Sequence, residues 1–176
     1  MDWKIKKFDE LTVKELYEIL KVRAEVFVVE QECVYQDLDS KDENAYHLFG
    51  EDQGEVVGYL RILPKGIAYQ EAAIGRVLTK QAYRRRGLSL EMVKRAIDFI
   101  QDDIGEDAIR ISAQAYLLKF YEGFGFKTTS AVYLEDGIEH IEMLYKRRDR
   151  AENVADRTLK IEDRTLKVED SPQIEG

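Results

Sequence analysis

The sequence predicts an α/β (α+β) protein in which helices flank a mixed central β-sheet. Short apolar strands alternate along the chain with amphipathic helical segments, as in domains that pack helices against a sheet. The middle of the chain reads as strand, helix and strand, an order that requires parallel pairing. Hairpins are predicted on both sides of this unit, and these add antiparallel pairs to the sheet.

The first half of the chain has clear signals for a helix and a hairpin. Thr12, followed three residues later by Glu15, forms a capping box at the start of a helical pattern. A polar connection rich in Asp and Glu follows, and connections of this length are often functional. The predicted elements are a strand at 3–8, a helix at 13–28, the connection at 30–45, and strands at 46–49 and 55–63 around a turn at 50–54.

The second half continues this alternation of strands and helices. Leu90, Val93, Ala96, Ile97 and Ile100 share one stripe of an amphipathic helix. An Asp-Gly pair marks the turn of the last hairpin. The predicted elements are strands at 71–79 and 108–113, helices at 88–103 and 116–123, and strands at 127–134 and 138–145 around a turn at 135–137.

Composition restricts the class of protein and its surroundings. At 176 residues the chain can form one domain with a sizeable core. The net charge of −8 argues against binding to nucleic acid or to an anionic membrane, so we expect neither partner. The apolar runs are far shorter than the roughly 20 residues of a membrane span, and the N-terminus lacks an apolar signal core. Cys33 is the single cysteine, which excludes an internal disulfide and makes a reducing cytoplasm the simplest location.

The composition changes after residue 148. Residues 157–163 (RTLKIED) recur almost identically as residues 164–170 (RTLKVED), and two copies are too few for a solenoid. We therefore predict a folded domain at 1–148 and an acidic tail at 149–176 that carries the tandem seven-residue repeat. The tail is expected to be mobile, and the alternative is an ordered segment that packs on a neighbouring subunit.

A cationic glycine turn is the strongest signal for a binding site. Arg84, Arg85, Arg86 and Gly87 follow a buried strand and open a helix, and the free N–H groups and dipole of a helix N-terminus favour a phosphate. Gly87 lets the backbone approach a ligand, and Ser89 is small and carries a hydroxyl. The sequence has neither Gly-Lys-Ser/Thr nor Gly-x-Gly-x-x-Gly, so a P-loop NTPase and a dinucleotide-binding fold are not expected. The alternative interpretation is a solvated patch of arginines.

Residues 77–89 resemble the acetyl-CoA pyrophosphate motif of the GNAT superfamily of N-acetyltransferases, which reads Arg/Gln-x-x-Gly-x-Gly/Ala. Ser89 departs from the last position of this motif, and the departure is mild because Ser is small. Residues 120–126 resemble the Tyr-x-x-x-Gly-Phe helix end of the same family, and the order of elements is similar over residues 1–147. A closer resemblance, to the ElaA-like subgroup, is carried by separated short segments: 26–31, Cys33, Tyr35, Asp39, Asp42, 47–48, 74–77, 113–114 and 135–140.

The resemblance implies an N-acetyltransferase of GNAT fold that moves an acetyl group from acetyl-CoA, its co-substrate, to a primary amine by direct attack. The two central strands splay apart in this fold and hold the co-substrate between them, and no metal is expected. Tyr121 is implied to protonate the departing CoA thiolate, as a phenol near the sulfur can, and the alternative is a core aromatic. The residues implied for the co-substrate are Val77, Leu78 and Thr79 for the pantetheine arm, Arg84, Arg85, Arg86, Gly87, Leu88 and Ser89 for the pyrophosphate, and Gln114 at the end of the next strand.

The acceptor, a small-molecule or peptide amine, is less well defined by the sequence, and a homodimer stays open. The acidic connection at 30–42 is expected to line the acceptor site and to favour a cationic amine. The expected substrate-binding residues are Arg23, Glu30, Cys33, His47 and His140. A general base is required because a protonated amine cannot attack a thioester. The candidates for that base are Glu30, Asp37, Asp39, His47 and His140, and the sequence does not choose among them.

A second pattern resembles acyl-homoserine lactone synthases, which share the fold and use S-adenosylmethionine. Tyr35 stands where those enzymes usually have Trp. The alternative interpretation is a set of structural ion pairs within the same pattern, and a third hypothesis is a catalytically idle member of the family. The residues of the pattern are Arg23, Phe27, Asp37, Asp39, Asp42 and Arg76, with Arg61 as a further ion-pair partner.

Overall fold

The computed structural model describes residues 1–147, and the predicted tail at 149–176 lies outside them. Eight strands of the described residues form one sheet. The strands are β1 (Asp2–Lys7), β2 (Tyr46–Asp52), β3 (Glu55–Leu63), β4 (Ala72–Thr79), β5 (Ala108–Gln114), β6 (Lys127–Thr128), β7 (Tyr133–Glu135) and β8 (Ile138–Lys146). The α-helices are α1 (Val13–Arg23), α2 (Leu88–Phe99) and α3 (Leu118–Glu122).

The order of the strands makes the sheet mixed, as predicted. The order is β1-β2-β3-β4-β5-β8-β6, and β7 also pairs with β8. Every pair is antiparallel except β4 with β5, which are connected through α2. A parallel pair with a helical crossover inside antiparallel flanks confirms the α/β class.

Strands β4 and β5 separate soon after they begin. Their pairing is limited to Ala72 opposite Ile109 and Ala73 opposite Arg110. Beyond Ala73, the edge of β4 that faces β5 has no strand partner within residues 1–147, so its backbone groups are available to a ligand. We call the space between the C-terminal ends of these two strands the β4–β5 gap.

A β-bulge in β4 accompanies this separation. Tyr59 of β3 lies opposite Leu78, whereas Arg61 lies opposite Gly75, so a single residue of β3 faces two residues of β4. Arg76 lies in the bulge with φ +53, a left-handed conformation that is costly for a residue with a Cβ. Because a bulge bends the strand that carries it, we attribute the divergence of β4 from β5 to this feature.

The helices cover the two faces of the sheet at different places. Met92 and Ile97 of α2 belong to the main core, which lies between that helix and the sheet and also includes residues of α3. Ile19 and Val22 of α1 pack on the opposite face in a second cluster that contains Tyr59 of β3. No helix in residues 1–147 has the length and apolar character needed to cross a membrane.

Both longer helices are followed by a π-helical turn, which the sequence pattern did not distinguish from α-helix. Residues 24–30 continue α1 and residues 100–104 continue α2, so the predicted lengths are close and only the last turns are wider. The buried stripe of α2 begins at Met92. Leu90 was wrongly predicted to belong to that stripe, because it is 57% exposed.

Two hairpin turns are tighter than predicted. Gln53 and Gly54 alone join β2 to β3, with φ of +51 and +83, and Asp136 and Gly137 join β7 to β8, with φ of +51 and +80. Successive positive φ values are typical of the two-residue type I′ turn, which suits the twist of the strands. The strand predicted at 127–134 was wrong as one element, because the chain between β6 and β7 leaves the ladder and shifts the register against β8.

Candidate active site

The end of β4 and the beginning of α2 meet beside the β4–β5 gap. Thr79 and Ser89 are joined by a hydrogen bond of 2.9 Å between their hydroxyl oxygens. Gly87 is the N-cap of α2 with φ +80, and a Cβ placed there would meet no atom within 4 Å. The first intrahelical bond runs from the Glu91 N–H to the Gly87 carbonyl, so earlier N–H groups are directed out of the helix. This geometry suits an anion such as a pyrophosphate.

The Arg84 side chain is engaged by protein groups. Its Nε donates to the Thr79 carbonyl at 2.9 Å, and its terminal nitrogens contact the Glu30 carboxylate at 2.6 and 2.7 Å. The bond from Arg84 lowers the pKa of Glu30. Arg84 therefore connects the glycine turn to the π-helical turn after α1, and only its backbone stays open to a ligand.

The next two arginines have different surroundings. Arg85 has φ +62, a left-handed conformation next to the N-cap of α2. The Arg86 guanidinium lies 5.2 Å from the centre of the Tyr83 ring, and the Tyr83 hydroxyl donates to Asp52 at 2.8 Å. Arg85 and Arg86 are both exposed, so they supply the accessible positive charge at this helix N-terminus.

Tyr121 of α3 is nearly buried, with 5% of its surface exposed. Its ring makes edge contacts with Phe120 and Phe126, at 5.0 and 5.8 Å between ring centres. Burial raises the pKa of its hydroxyl, so the phenol remains protonated at neutral pH. Tyr116, the nearby tyrosine that the sequence could confuse with it, is 76% exposed, so Tyr121 is the sheltered one.

Alternation along β5 divides its side chains between the two faces of the sheet. Ile111 and Ala113 are buried in the core beneath α2, whereas Ser112 and Gln114 face the other side. Gln114 ends the strand at the β4–β5 gap and pairs with His140 of β8. The predicted Gln114 therefore lies at the gap, on the face opposite to α2.

Six charged side chains form what we call the arginine–aspartate network. Arg23 of α1 donates to Asp37 at 2.8 Å and to Asp42 at 2.7 Å, and it has no exposed surface. These contacts confirm the interpretation of this pattern as structural ion pairs. The members of the network are Arg23, Asp37, Asp39, Asp42, Arg61 and Arg76.

The other contacts of the network attach the polar connection to the sheet. Arg61 of β3 donates to Asp39 at 2.6 and 2.8 Å, and Arg76 in the β4 bulge donates to Asp37 at 2.6 Å. Burial would raise the pKa of Asp39, but bonds from Arg61 outweigh that effect and lower it. Three guanidinium groups thus neutralise three carboxylates. These three aspartates therefore do not provide the negative charge that was expected to attract a cationic amine.

His47 of β2 is enclosed by protein. Its Nε2 is 3.0 Å from the Asp42 carbonyl and must donate to it, so its Nδ1 accepts from the Tyr59 hydroxyl at 2.9 Å. Burial lowers the pKa of His47, which keeps the ring neutral. His47 and Arg23 both have 0% exposure, so neither can contact an acceptor directly. Both instead support the polar connection from below.

Cys33 and His140 are both associated with the β7–β8 hairpin. The Cys33 Sγ is 3.6 Å from the Asp136 carbonyl, which brings the polar connection onto that turn. His140 is half-buried, and its ring stacks on Tyr133 with 6.3 Å between centres. The structure thus places His140 beside Gln114 and Cys33 at the β7–β8 turn, while Glu30 lies with Arg84 at the glycine turn.

A short hydrogen-bonded chain on β5 and β7 was missed by sequence reasoning. The Tyr133 hydroxyl is 2.6 Å from the Ser112 Oγ, and Ser112 donates to the Glu135 carboxylate at 2.8 Å. Alternation could have placed Ser112 on the same face as Gln114. The position of Tyr133 could not be found in this way, because it depends on the shifted register between β7 and β8.

The β4–β5 gap, the glycine turn at the start of α2 and the sheltered Tyr121 together define a class of protein. A family model described as "Acetyltransferase (GNAT) domain" matches residues 11–147. The chain belongs to this family of acyl-CoA-dependent acyltransferases. Family membership confirms the resemblance and the enzyme class that were predicted from the sequence.

Individual relatives confirm the ElaA-like resemblance. Protein ElaA of Escherichia coli is 36% identical over 145 residues, which cover 81% of this chain and 95% of the relative. The crystal structure of that protein has a TM-score of 0.78 and covers 83% of this chain and 100% of its own. An acyl-CoA N-acyltransferase from Pseudomonas aeruginosa also has a TM-score of 0.78, with 39% identity over 82% of this chain and 99% of its own.

A CoA-dependent acyl-homoserine lactone synthase has a TM-score of 0.69, with 17% identity over 85% of each chain. At that identity the similarity establishes a shared fold and nothing about the reaction.

Proposed function

We propose that this protein transfers an acetyl group from acetyl-CoA to a primary amine by direct attack of the amine on the thioester. Membership in the acyltransferase family supports acyl transfer in general. The β4–β5 gap carries the more specific proposal, because its unpaired β4 edge ends beside a helix N-terminus that suits a pyrophosphate. CoA combines a peptide-like pantetheine arm, which fits the unpaired β4 edge, with a pyrophosphate, which fits the N-terminus of α2.

Different residues on the donor side are proposed to bind different parts of acetyl-CoA. Backbone groups of residues 77–79, with the side chain of Gln114, would bind the pantetheine amides across the gap. Backbone N–H groups of residues 84–89 would hold the pyrophosphate, with Gly87 giving room for close approach. Arg85 and Arg86 add positive charge, whereas the Arg84 side chain stabilises the turn through Glu30.

The chemical steps follow from the groups at the gap. The neutral amine attacks the thioester carbonyl, and the backbone N–H of Leu78 is proposed to stabilise the oxyanion that forms. When the C–S bond breaks, the CoA thiolate takes a proton from the Tyr121 hydroxyl. A raised pKa keeps that proton on Tyr121 until the thiolate develops. The attacking nitrogen loses one proton as the amide forms, and this proton restores the Tyr121 hydroxyl, so the charges balance.

Calorimetry with acetyl-CoA tests the donor site directly. Gly87→Trp should reduce affinity at least about tenfold, because the indole would fill the space in which the pyrophosphate is expected to lie. Gly66→Trp is the matched control: Gly66 has φ +82 and open surroundings like Gly87, but it lies in the β3–β4 connection. Unchanged binding by Gly87→Trp, or no binding by the unmodified protein, would reject the donor site.

The acceptor is proposed to be a primary amine of a small molecule or a peptide, and the cytoplasm is the proposed location. A screen of alkylamines, polyamines and peptide N-termini with thiol detection would identify the acceptor class. Release of CoA without any amine-dependent increase would contradict transfer to an amine.

A lactone-forming activity is the second candidate, favoured by the Arg23 and Asp37 pattern and by the shared fold. Because those groups already satisfy each other, the pattern has a structural explanation without S-adenosylmethionine. Binding of S-adenosylmethionine together with formation of a lactone would replace the first proposal.

A further inference from the structure

The two histidines of the chain differ in the state of their ring nitrogens. Both nitrogens of His47 are hydrogen-bonded in the interior. The Nδ1 of His140 is 2.8 Å from the Ile138 carbonyl, and because a carbonyl can only accept, Nδ1 must carry the proton. In the neutral ring Nε2 is then unprotonated, and no side chain or backbone group of residues 1–147 donates to it. Within the described part of the chain, His140 therefore presents a lone pair at Nε2 that accepts no hydrogen bond.

The position of His140 relates this lone pair to the β4–β5 gap. Its neighbour Ile141 is buried in the main core, so His140 faces the opposite side of the sheet, away from α2. It pairs with Gln114, the last residue of β5, and stacks on Tyr133 of β7. Cys33 brings the polar connection to the same hairpin. His140 therefore lies on the face opposite to α2, beside the strand that borders the β4–β5 gap, and we take this face as the side from which the acceptor approaches.

The carboxylates that the sequence offered as bases are held by cations. Glu30 contacts Arg84, and Asp37 and Asp39 belong to the arginine–aspartate network. The guanidinium bonds lower the pKa of Glu30 and of Asp39, which makes both weak bases, and the Asp37 oxygens are occupied by Arg23 and Arg76. Counting partners from residues 1–147, His140 is the one sequence-predicted candidate that retains an unoccupied basic atom.

We infer that His140 is the general base that removes a proton from the acceptor ammonium through Nε2, an inference that rests on the proposed acetyl transfer. The ammonium gives one N–H proton to Nε2, and the neutral amine then attacks the thioester carbon. The imidazolium that forms keeps its Nδ1–H bond to the Ile138 carbonyl and releases the Nε2 proton to solvent after turnover. The net reaction produces the amide, the CoA thiol and one proton.

The groups around His140 suit a ring that becomes positively charged for part of the cycle. Tyr133 and Glu135 come from β7, and Glu142 lies two residues along β8 on the same face. β5 contributes the uncharged Ser112 and Gln114 and also Arg110, whose guanidinium contacts Glu142 at 3.1 Å and Glu71 at 2.7 Å. The Tyr133 hydroxyl is bonded to Ser112, which leaves its ring in place against the imidazole. The charge of Arg110 is paired with the Glu71 and Glu142 carboxylates, and Glu135 accepts a bond from Ser112.

The test compares His140→Gln with Glu139→Gln, an exposed neighbour whose side chain points to the other face. With the alkylamine selected by the screen, His140→Gln should lower kcat about 100-fold or more at neutral pH. The loss should shrink at alkaline pH, where the amine is already neutral in solution. Glu139→Gln should keep the unmodified rate, and acetyl-CoA affinity by calorimetry should be the same in all three proteins.

A matched pair of acceptors distinguishes proton removal by His140 from a structural effect of its substitution. Ethylamine is protonated at neutral pH and trifluoroethylamine is largely neutral there, so His140→Gln should slow transfer to the first and have little effect on the second. Equal losses with both amines, or an unchanged pH profile, would overturn the role of His140. Failure of the proposed function itself has a different signature: the unmodified protein would bind no acetyl-CoA or acetylate no amine.

Nitrogen NMR of the histidine rings gives a readout that needs no acceptor. At alkaline pH, His140 should show the Nδ1-protonated tautomer, and its signals should be assigned by their loss in His140→Gln. The Nε2-protonated tautomer would overturn the inference, because the lone pair would then face the Ile138 carbonyl.

Discussion

At the scale of single residues, Tyr121 combines a ring packed in the core with a hydroxyl that stays protonated. Its ring is packed among core aromatics, and its hydroxyl has a raised pKa because of burial. A phenol of this kind is a poor acid in the resting protein. In the proposed reaction it gives up its proton only to the CoA thiolate, which is a stronger base than water.

Tyr121→Phe tests this role, because the ring and its packing are retained while the proton is lost. We expect kcat to fall about 100-fold and the acetyl-CoA dissociation constant to stay the same. Steady-state kinetics and calorimetry measure the two quantities. Tyr116→Phe, at an exposed position, serves as the control and should have the unmodified kcat. A Tyr121→Phe protein with unchanged turnover would remove this residue from the mechanism.

At the scale of elements, Glu15 fastens the start of α1 to β1. Its carboxylate accepts from Lys6 at 2.8 Å and from the Thr12 N–H at 2.9 Å, which completes the predicted capping box. Burial would raise the pKa of Glu15, but the bonds from Lys6 and Thr12 outweigh it and lower the pKa from 4.5 to about 2. A carboxylate with a lowered pKa stabilises the fold above its ordinary pKa, and this contribution is lost as the pH falls toward 2.

Glu15→Gln should therefore destabilise the protein in a pH-dependent way. We expect a loss of about 1–2 kcal/mol of unfolding free energy at neutral pH, since part of the interaction is screened by solvent. The difference from the unmodified protein should shrink as the pH falls from neutral toward 2, where about half of the Glu15 carboxylates are protonated. Denaturant unfolding at several pH values measures it, with the exposed Glu10→Gln as control. A difference that does not depend on pH would contradict the ionic explanation.

At the scale of the whole molecule, the arginine–aspartate network joins parts that are distant in the sequence. Arg23 lies on α1, Arg61 on β3 and Arg76 in the β4 bulge, and all three contact the same polar connection. Asp42 is shared between Arg23 and Arg61 at 2.7 and 3.0 Å. The network thereby holds the polar connection against the strand that borders the β4–β5 gap.

Asp42→Asn should weaken the fold strongly, because two guanidinium groups would lose a shared charge in a buried place. We expect a loss of about 3–5 kcal/mol at neutral pH, measured by denaturant unfolding. Because arginine bonds lower the pKa of Asp42 against the effect of burial, the difference should decrease on acidification. Asp98→Asn, an exposed substitution on α2, should change stability little. A small effect of Asp42→Asn at neutral pH would show that the network contributes little to the fold.

Local features of the chain were predictable because they depend on neighbours in sequence. The capping box at Thr12, the strand before Gly87 and the helix after it all require only a few consecutive residues. The π-helical turns and the shifted register at β7 were not predictable in this way, since they depend on what each segment packs against. The charges at Asp37 and Asp39 looked available in the sequence, because their arginine partners lie 14 or more residues away.

The sequence by itself determined the class of fold, the glycine turn and the family, because periodicity, caps and short motifs are local and survive without the folded structure. Only the tertiary structure decided which of the offered side chains are free to act. Arg84 and the aspartates are occupied by partners brought together through folding, and His47 is buried with both nitrogens bonded. His140 keeps an open nitrogen because the β7–β8 register and the Ile138 carbonyl fix its ring, which no pattern along the chain reveals.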